Sequence, residues 1–284
     1  MIKAYYQLTK PGMIYGNIIV MTGGFLLASR GNIDLWLLLA TLAGLSLVIA
    51  SGCVFNNYID RDFDKKMERT RERALVRGTI SGRNALIFGT VLGVLGALIL
   101  GFYTNPLALE LAGFGFFAYV VLYSLWTKHY SVYSTIVGSF AGAMPPVVGY
   151  CAVSNHFDLG AIILFTILVL WQMPHFFSIA IYRLGDYTTA SIPVLPVRSG
   201  VRTAKIHTLL YVIALTLVLP LLTVFDYTGY AYGAVMTALM ITWLVLALQG
   251  FRTHDDVKWA RKMFMFSLVV NLSFAVMIAL DAAK

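Results

Sequence analysis

Residues 56–64 read Asn-Asn-Tyr-Ile-Asp-Arg-Asp-Phe-Asp. They close a long apolar run and open the most highly charged segment of the chain. Asn56, Asp60 and Asp64 recur every fourth residue. On a helix each advances about 40° on the one before, so the three share a face. Asp62 lies about 200° round from Asp60 and belongs to another face. An amide and two carboxylates stacked at the end of an apolar helix form a hard, all-oxygen site. Such donors suit Mg²⁺, which keeps several waters and takes one or two carboxylates plus the phosphates of a substrate. The spacing points to a membrane enzyme that holds a diphosphate through Mg²⁺. The plainer alternative is a solvated loop that ends a transmembrane helix, where charged residues are common.

The rest of the chain supports the membrane reading. It is 59% hydrophobic and 12% charged, with a mean hydropathy of +0.79, whereas about a quarter of the residues of a soluble domain are charged. This predicts an all-α, polytopic integral membrane protein, one transmembrane domain over residues 1–284, with no room for a sizeable soluble domain. Taking roughly 20 apolar residues per span, nine spans are predicted, at about 13–29, 35–56, 84–103, 106–126, 132–152, 158–182, 206–225, 229–250 and 262–280. Asn105-Pro106 marks a tight turn between the third and fourth. Gly89, Gly93 and Gly96, and Gly138 and Gly142, have the small-residue spacing that lets helices approach closely. Cys53 and Cys151 stand alone in apolar runs and read as small core residues, with neither metal nor disulfide spacing. The first apolar run has no convincing cleavage signal and is predicted to stay as a span.

The net charge of +8 is a matter of topology, and it excludes a nucleic-acid partner as its explanation. With nine spans, all but Arg30 and Lys284 of the 21 lysines and arginines fall on one side. That asymmetry predicts the N-terminus inside and the C-terminus outside. Two inner segments are long and polar, about 57–83 after the second span and about 183–205 after the sixth.

Several residues in these segments bear on chemistry. Lys65, Arg69, Arg73 and Arg77 follow the aspartates at near-helical spacing and supply cations for a diphosphate; the alternative for each is topology alone. Asp186 ends the sixth span and is either a further metal-facing carboxylate or a turn cap. Pro193 and Pro196 suggest a loop folded back onto the membrane. His175 lies in Trp171-Gln172-Met173-Pro174-His175-Phe176, inside an apolar helix that Pro174 should kink. A polar ring at that depth faces the bundle or a cavity; it is a candidate haem ligand or a structural hydrogen-bond partner. His207, at the inner start of the seventh span, is the second candidate.

The motif Asn56-x-x-x-Asp60-x-x-x-Asp64, at the inner end of the second of nine spans, resembles the first aspartate-rich motif of the UbiA superfamily of intramembrane prenyltransferases. The resemblance covers almost the whole chain. Five stretches together are similar to the branch that farnesylates haem: Asn56–Asp62, Met67-x-Arg69-Thr70-x-x-Arg73, Gly142–Pro146, Trp171–Phe176 and Asp186-Tyr187-x-x-Ala190-Ser191-Ile192-Pro193. One departure stands out. Many members of the superfamily carry Asp-x-x-x-Asp in the second motif, where this chain has Ala190 opposite Asp186.

The resemblance implies farnesyl diphosphate and haem B as substrates and Mg²⁺ as cofactor. The metal set would be Asn56, Asp60, Asp64 and Asp186, with Asn57 beside it as a further amide and Lys65, Arg69 and Arg73 assisting at the diphosphate. Tyr58 and Tyr187 would face the allylic cation. His175 would ligate the haem iron, and Arg183 with other inner-loop arginines would hold the propionates. Water would complete the hydroxyethylfarnesyl side chain of haem O, destined for terminal oxidases. The setting implied is the bacterial cytoplasmic (inner) membrane, with the site on the cytoplasmic side, the lipid bilayer around it, and a haem-copper terminal oxidase or haem A synthase as protein partner. Three other functions fit parts of the pattern: a quinone-type aromatic prenyltransferase, a membrane transporter, and a haem-carrying electron-transfer subunit. The scarcity of ionisable residues at mid-membrane depth counts against the transporter, and the scarcity of intramembrane histidines against the haem carrier.

Overall fold

The computed structural model describes residues 1–282. A short helix, α1 (Ile2–Leu8), precedes α2 (Pro11–Ser29), α3 (Leu35–Asp64), α4 (Gly82–Tyr103) and α5 (Pro106–Phe117). α5 runs on without a break into a π-helical segment, Ala118–Thr127. Then follow α6 (Ser134–Ser154), α7 (Leu159–Tyr182), α8 (Leu184–Thr189), α9 (Leu195–Val218), α10 (Leu221–Val224), α11 (Tyr230–Gln249) and α12 (Asp256–Leu280). Among the described residues, nine helical stretches are long and apolar enough to cross a membrane.

The starts of the helices are written locally. Asp34, Ser81, Asn105, Asp158 and Asp255 each accept a hydrogen bond from the backbone N–H three residues on, at 2.8–3.2 Å. These bonds satisfy amides that a helix leaves unpaired in its first turn. Asn105-Pro106 makes the expected turn, with proline in the first helical turn. Lys10, in a left-handed conformation at φ 52°, turns the chain from α1 into α2.

Two differences from the predicted spans concern the site. α3 has 30 residues and is about 45 Å long, against roughly 30 Å of hydrocarbon. It therefore carries residues 56–64 as regular helix out to the membrane surface. α9 starts at Leu195 rather than near 206, because Gly200 (φ 84°) joins an inner helical turn to the span across a kink.

Packing follows the small residues. α3 and α4 meet along the predicted glycines: a Cβ at Gly93 would lie 2.8 Å from Ser51 Oγ, and one at Gly96 2.7 Å from the Gly44 carbonyl. Ser51 Oγ also donates to the Gly89 carbonyl at 2.7 Å. α2 and α6 are as close, with Gly24 against the Pro146 carbonyl and Gly149 against that of Met21. The largest apolar core joins α6, α7, α9, α11 and α12 around Trp243, Tyr232 and Phe274. Beyond the end of α3 the two polar segments meet, with Met67 packed on Ala190 and Ile192.

Candidate active site

A cavity of about 720 Å³ opens at the end of the bundle that carries residues 56–64 and runs between α2, α3, the π-segment, α6 and α7. α3 gives it one continuous face: Leu45, Val48, Ile49, Gly52, Cys53, Asn56, Asp60 and Asp64. These steps of three and four residues make a single helical stripe. The stripe is apolar deep in the membrane and turns polar over its last turns. Asn56, Asp60 and Asp64 are all buried, at 1%, 2% and 5% exposure, while Asp62 is exposed and pairs with Lys65 at 2.9 Å.

Each buried polar group on the stripe has a named partner. Asp60 Oδ2 pairs with Lys128 Nζ, and its Oδ1 meets His129 Nε2 at 3.0 Å. The His129 ring stacks on Phe63 with centroids 3.6 Å apart. Asp64 Oδ2 accepts from Arg73 Nη1 at 2.6 Å. Asn56 Oδ1 accepts from Lys10 Nζ, and Asn56 Nδ2 donates to Ser124 Oγ at 2.8 Å. Ser124 Oγ donates in turn to the Tyr119 carbonyl at 2.7 Å, inside the π-helical segment. Arg69, Arg183, Asp186 and Tyr187 line the same mouth from the two inner segments.

The mouth is strongly cationic. Burial pulls the Lys10 ammonium down to about 8; Cys53 and Asp60 resist this shift, while Arg73 and Lys128 add to it. Burial also works against the Lys128 ammonium, but Tyr123 and Asp60 outweigh it and its pKa is raised. Burial raises the Tyr187 phenol. The mouth thus has several cations gathered over a small area, an arrangement that suits a polyanion.

Six expected site residues lie away from the cavity: Asn57, Tyr58, Lys65, Arg77, His175 and His207. Asn57 is about 100° from Asn56 on the helix and turns away from the cavity, where its Nδ2 donates to the Leu8 carbonyl at 2.8 Å. Tyr58 packs towards Gly82 and carries the Arg61 guanidinium 4.3 Å above its ring. Lys65 lies beyond the end of α3 and pairs with Asp62 in solvent. Arg77 is exposed and pairs with Glu72 at 3.0 Å. His175 is not among the residues lining the cavity. Its Nδ1 meets Ser267 Oγ on α12 at 2.7 Å, and its ring lies against Trp171 and Phe264, with centroids 4.8 and 4.9 Å away. His207 is exposed and touches only the edge of Phe177 among the aromatics.

Sequence reasoning missed Lys10, Lys128 and His129. The two lysines read as topology and the histidine as a loop residue. No periodicity links them to the aspartates; Lys128 is 68 residues from Asp60. The departure at Ala190 also has a physical basis. Ala190 is fully buried against Met67 and Ile192, where a carboxylate would meet methyl groups.

The donor set fits Mg²⁺. Asp60, Asp64 and Asp186 line one cavity with only oxygen ligands to offer. Asp186 Oδ2 is buried without a hydrogen bond, and the nearest cation, Arg183 Nη1, is 3.8 Å away. Among the described residues no three His, Cys, Asp or Glu side chains stand close enough together to hold a metal ion by themselves. That suits an ion that takes part of its shell from substrate phosphates and water.

The fold and site define an intramembrane transferase of prenyl groups, and the chain belongs to the UbiA prenyltransferase family, whose profile matches residues 17–269. It is 54% identical over 281 residues to the protoheme IX farnesyltransferase of Cronobacter sakazakii, covering 99% of this chain and 95% of that one. It is 55% identical over 282 residues to the protein of the same name from Sodalis glossinidius, with the same coverage. Among solved structures, that of a digeranylgeranylglyceryl phosphate synthase superposes with a TM-score of 0.80 at 20% identity, over 98% of each chain. A UbiA homologue from Archaeoglobus fulgidus, bound to GPP and Mg²⁺, superposes with a TM-score of 0.68 at 13% identity, over 97% of this chain and 99% of that one.

Proposed function

We propose that this protein transfers the farnesyl group of farnesyl diphosphate to the 2-vinyl group of haem B, giving the hydroxyethylfarnesyl side chain of haem O. The observation that carries this reading is the division of the cavity. Cations and carboxylates crowd its inner mouth, and an apolar wall follows along α3 from Cys53 to Leu45. A prenyl diphosphate has the same division. The relatives at 54–55% identity supply the acceptor.

Lys10, Arg69, Arg73 and Lys128 hold the diphosphate oxygens. Asp60, Asp64 and Asp186, with the Asn56 amide, would hold Mg²⁺, which would supply charge to neutralise the leaving diphosphate. The tail lies along the apolar stripe. Tyr119, Tyr123 and Tyr187 line the cavity and offer π faces to the allylic cation. The Met67–Ala190–Ile192 contact closes the inner segments over the mouth and limits access of bulk water. Arg183 and neighbouring inner-side arginines hold the haem propionates. The enzyme sits in the bacterial cytoplasmic membrane with this mouth inward, and its product passes to haem A synthase or to a haem-copper oxidase.

The test is a product assay by mass spectrometry. Membranes containing the protein receive haem B, farnesyl diphosphate and Mg²⁺, with a parallel sample given 4-hydroxybenzoate. Hydroxyethylfarnesyl haem is expected, lost with chelator and reduced at least about 100-fold by Asp60→Ala. A prenylated benzoate instead would keep the prenyltransferase and overturn the haem assignment.

A further inference from the structure

The reaction makes contradictory demands on water. It must be kept from the allylic cation, yet one molecule must reach the second cation, which forms on the carbon joined to the porphyrin ring. The cavity wall below the mouth is largely apolar, so a water there needs a specific holder. Gln172, on α7, is such a group.

Gln172 is 4% exposed and lines the cavity. Its Nε2 donates to the Ser139 carbonyl at 3.0 Å and to the Leu168 carbonyl at 2.9 Å. Both partners only accept, so they fix which end of the amide is nitrogen. Both N–H groups are used, and no protein donor reaches Oε1 among the described residues. The oxygen is therefore an oriented acceptor without a protein partner. Its place is held open by Gly142, where a Cβ would overlap Oε1.

A chain of contacts also ties Gln172 to the mouth. Ser139, its partner, follows Gly138, where a Cβ would lie 3.0 Å from the Tyr123 ring. Lys128 Nζ is 5.5 Å from the centre of that ring and pairs with Asp60. Gln172, Tyr123 and the Lys128–Asp60 ion pair all line this one cavity, so a prenyl chain with its diphosphate at Asp60 would extend from the mouth into the space that Gln172 lines. The Tyr123 hydroxyl would be the second polar partner that a held water needs.

We infer that Gln172 orients the water that completes the hydroxyethylfarnesyl group; this rests on the haem-farnesylating reading above. The vinyl π pair forms the new C–C bond to farnesyl C1 as the C–O bond to diphosphate breaks. The resulting cation sits on the ring-attached carbon. A lone pair of the held water forms the C–O bond there while one of its O–H groups is donated to Gln172 Oε1. The other proton leaves to the released diphosphate. Without that water, the same cation loses a proton from the adjacent CH₂ and gives an alkene lighter by one water.

The ratio of hydroxylated to alkene product reports this role and not general folding. Gln172→Met keeps the length of the side chain and removes the acceptor; Gly142→Ala keeps the glutamine and displaces its oxygen. Each is assayed with haem B, farnesyl diphosphate and Mg²⁺ beside the unaltered protein. In both, the ratio is expected to fall about five- to tenfold, the size of one lost hydrogen bond, whatever the total turnover. An unchanged ratio in either variant that still turns over would overturn the inference while leaving the haem reading intact. If the unaltered protein makes no farnesylated haem, both fail together.

Discussion

Lys128 shows how much of the site is tertiary. It is three residues before Ser131 in a short inner turn, yet its ammonium pairs with the carboxylate of Asp60 on α3. Lys128→Met keeps most of the stem and removes the charge. Initial rates at saturating farnesyl diphosphate should fall by about 100-fold or more, the usual loss when one donor to a developing anion is removed. Ser124→Ala is predicted to cost less, about tenfold, since it removes one hydrogen bond that fixes the Asn56 amide. A wild-type rate for Ser124→Ala would mean that Lys10 alone sets that amide. At this scale the sequence was legible where helical periodicity carries the signal, at Asn56, Asp60 and Asp64. It misled at Asn57 and Tyr58, which adjoin the motif but point about 100° and 200° away from Asn56. It was silent at Lys10 and His129, which reach the site only through the fold.

The helices hold this geometry through close contacts. α3 presents the stripe that carries Asn56, Asp60 and Asp64 to the cavity, and its back is pressed on α4 through glycine. Gly96→Ala would put a Cβ 2.7 Å from the Gly44 carbonyl and 2.9 Å from the Val48 amide, atoms that cannot step aside without moving α3. Overpacking of this kind costs about 1–3 kcal/mol, which should appear as a lower unfolding temperature in detergent together with lost turnover. Gly113→Ala is the matched control. It lies within α5 with nothing within 4 Å of the added Cβ, and alanine there should be neutral or stabilising by up to about 1 kcal/mol. Equal effects from the two substitutions would refute the packing argument. The α3–α4 contact was legible, because glycine spacing is a local signal. The π-helical register of Ala118–Thr127 and the kink at Gly200 were not, because composition alone does not distinguish one helical hydrogen-bond register from another.

On the scale of the whole molecule, charge asymmetry and the cavity agree. The mouth is lined by Lys10, Arg69, Arg73, Lys128 and Arg183, all on the side where positive charge accumulates along the chain. The spans were legible to within a few residues except at the end of the second, which runs on to Asp64, and at the starts of the seventh and ninth, Leu195 and Asp256. Their orientation is a prediction from the positive-inside rule, by which basic loops stay cytoplasmic. The outer side has only Arg30 and Lys284, and Lys284 lies outside the described residues. With an odd number of spans, the same rule predicts the C-terminus outside. Alkaline phosphatase fused after Lys284 is predicted to be active in a bacterial host and a cytoplasmic reporter at the same position inactive. The exposed Lys66 offers a second probe: the thiol of a Lys66→Cys variant should react with a membrane-impermeant maleimide only after the membrane is opened. Labelling of Lys66→Cys in intact cells would turn the molecule over and place the diphosphate mouth on the wrong side for a cytosolic prenyl donor. An active cytoplasmic fusion, together with protection of the Lys66→Cys thiol in intact cells, would instead keep the mouth inward and remove one span from the membrane, so the two measurements separate an inverted molecule from a miscounted one.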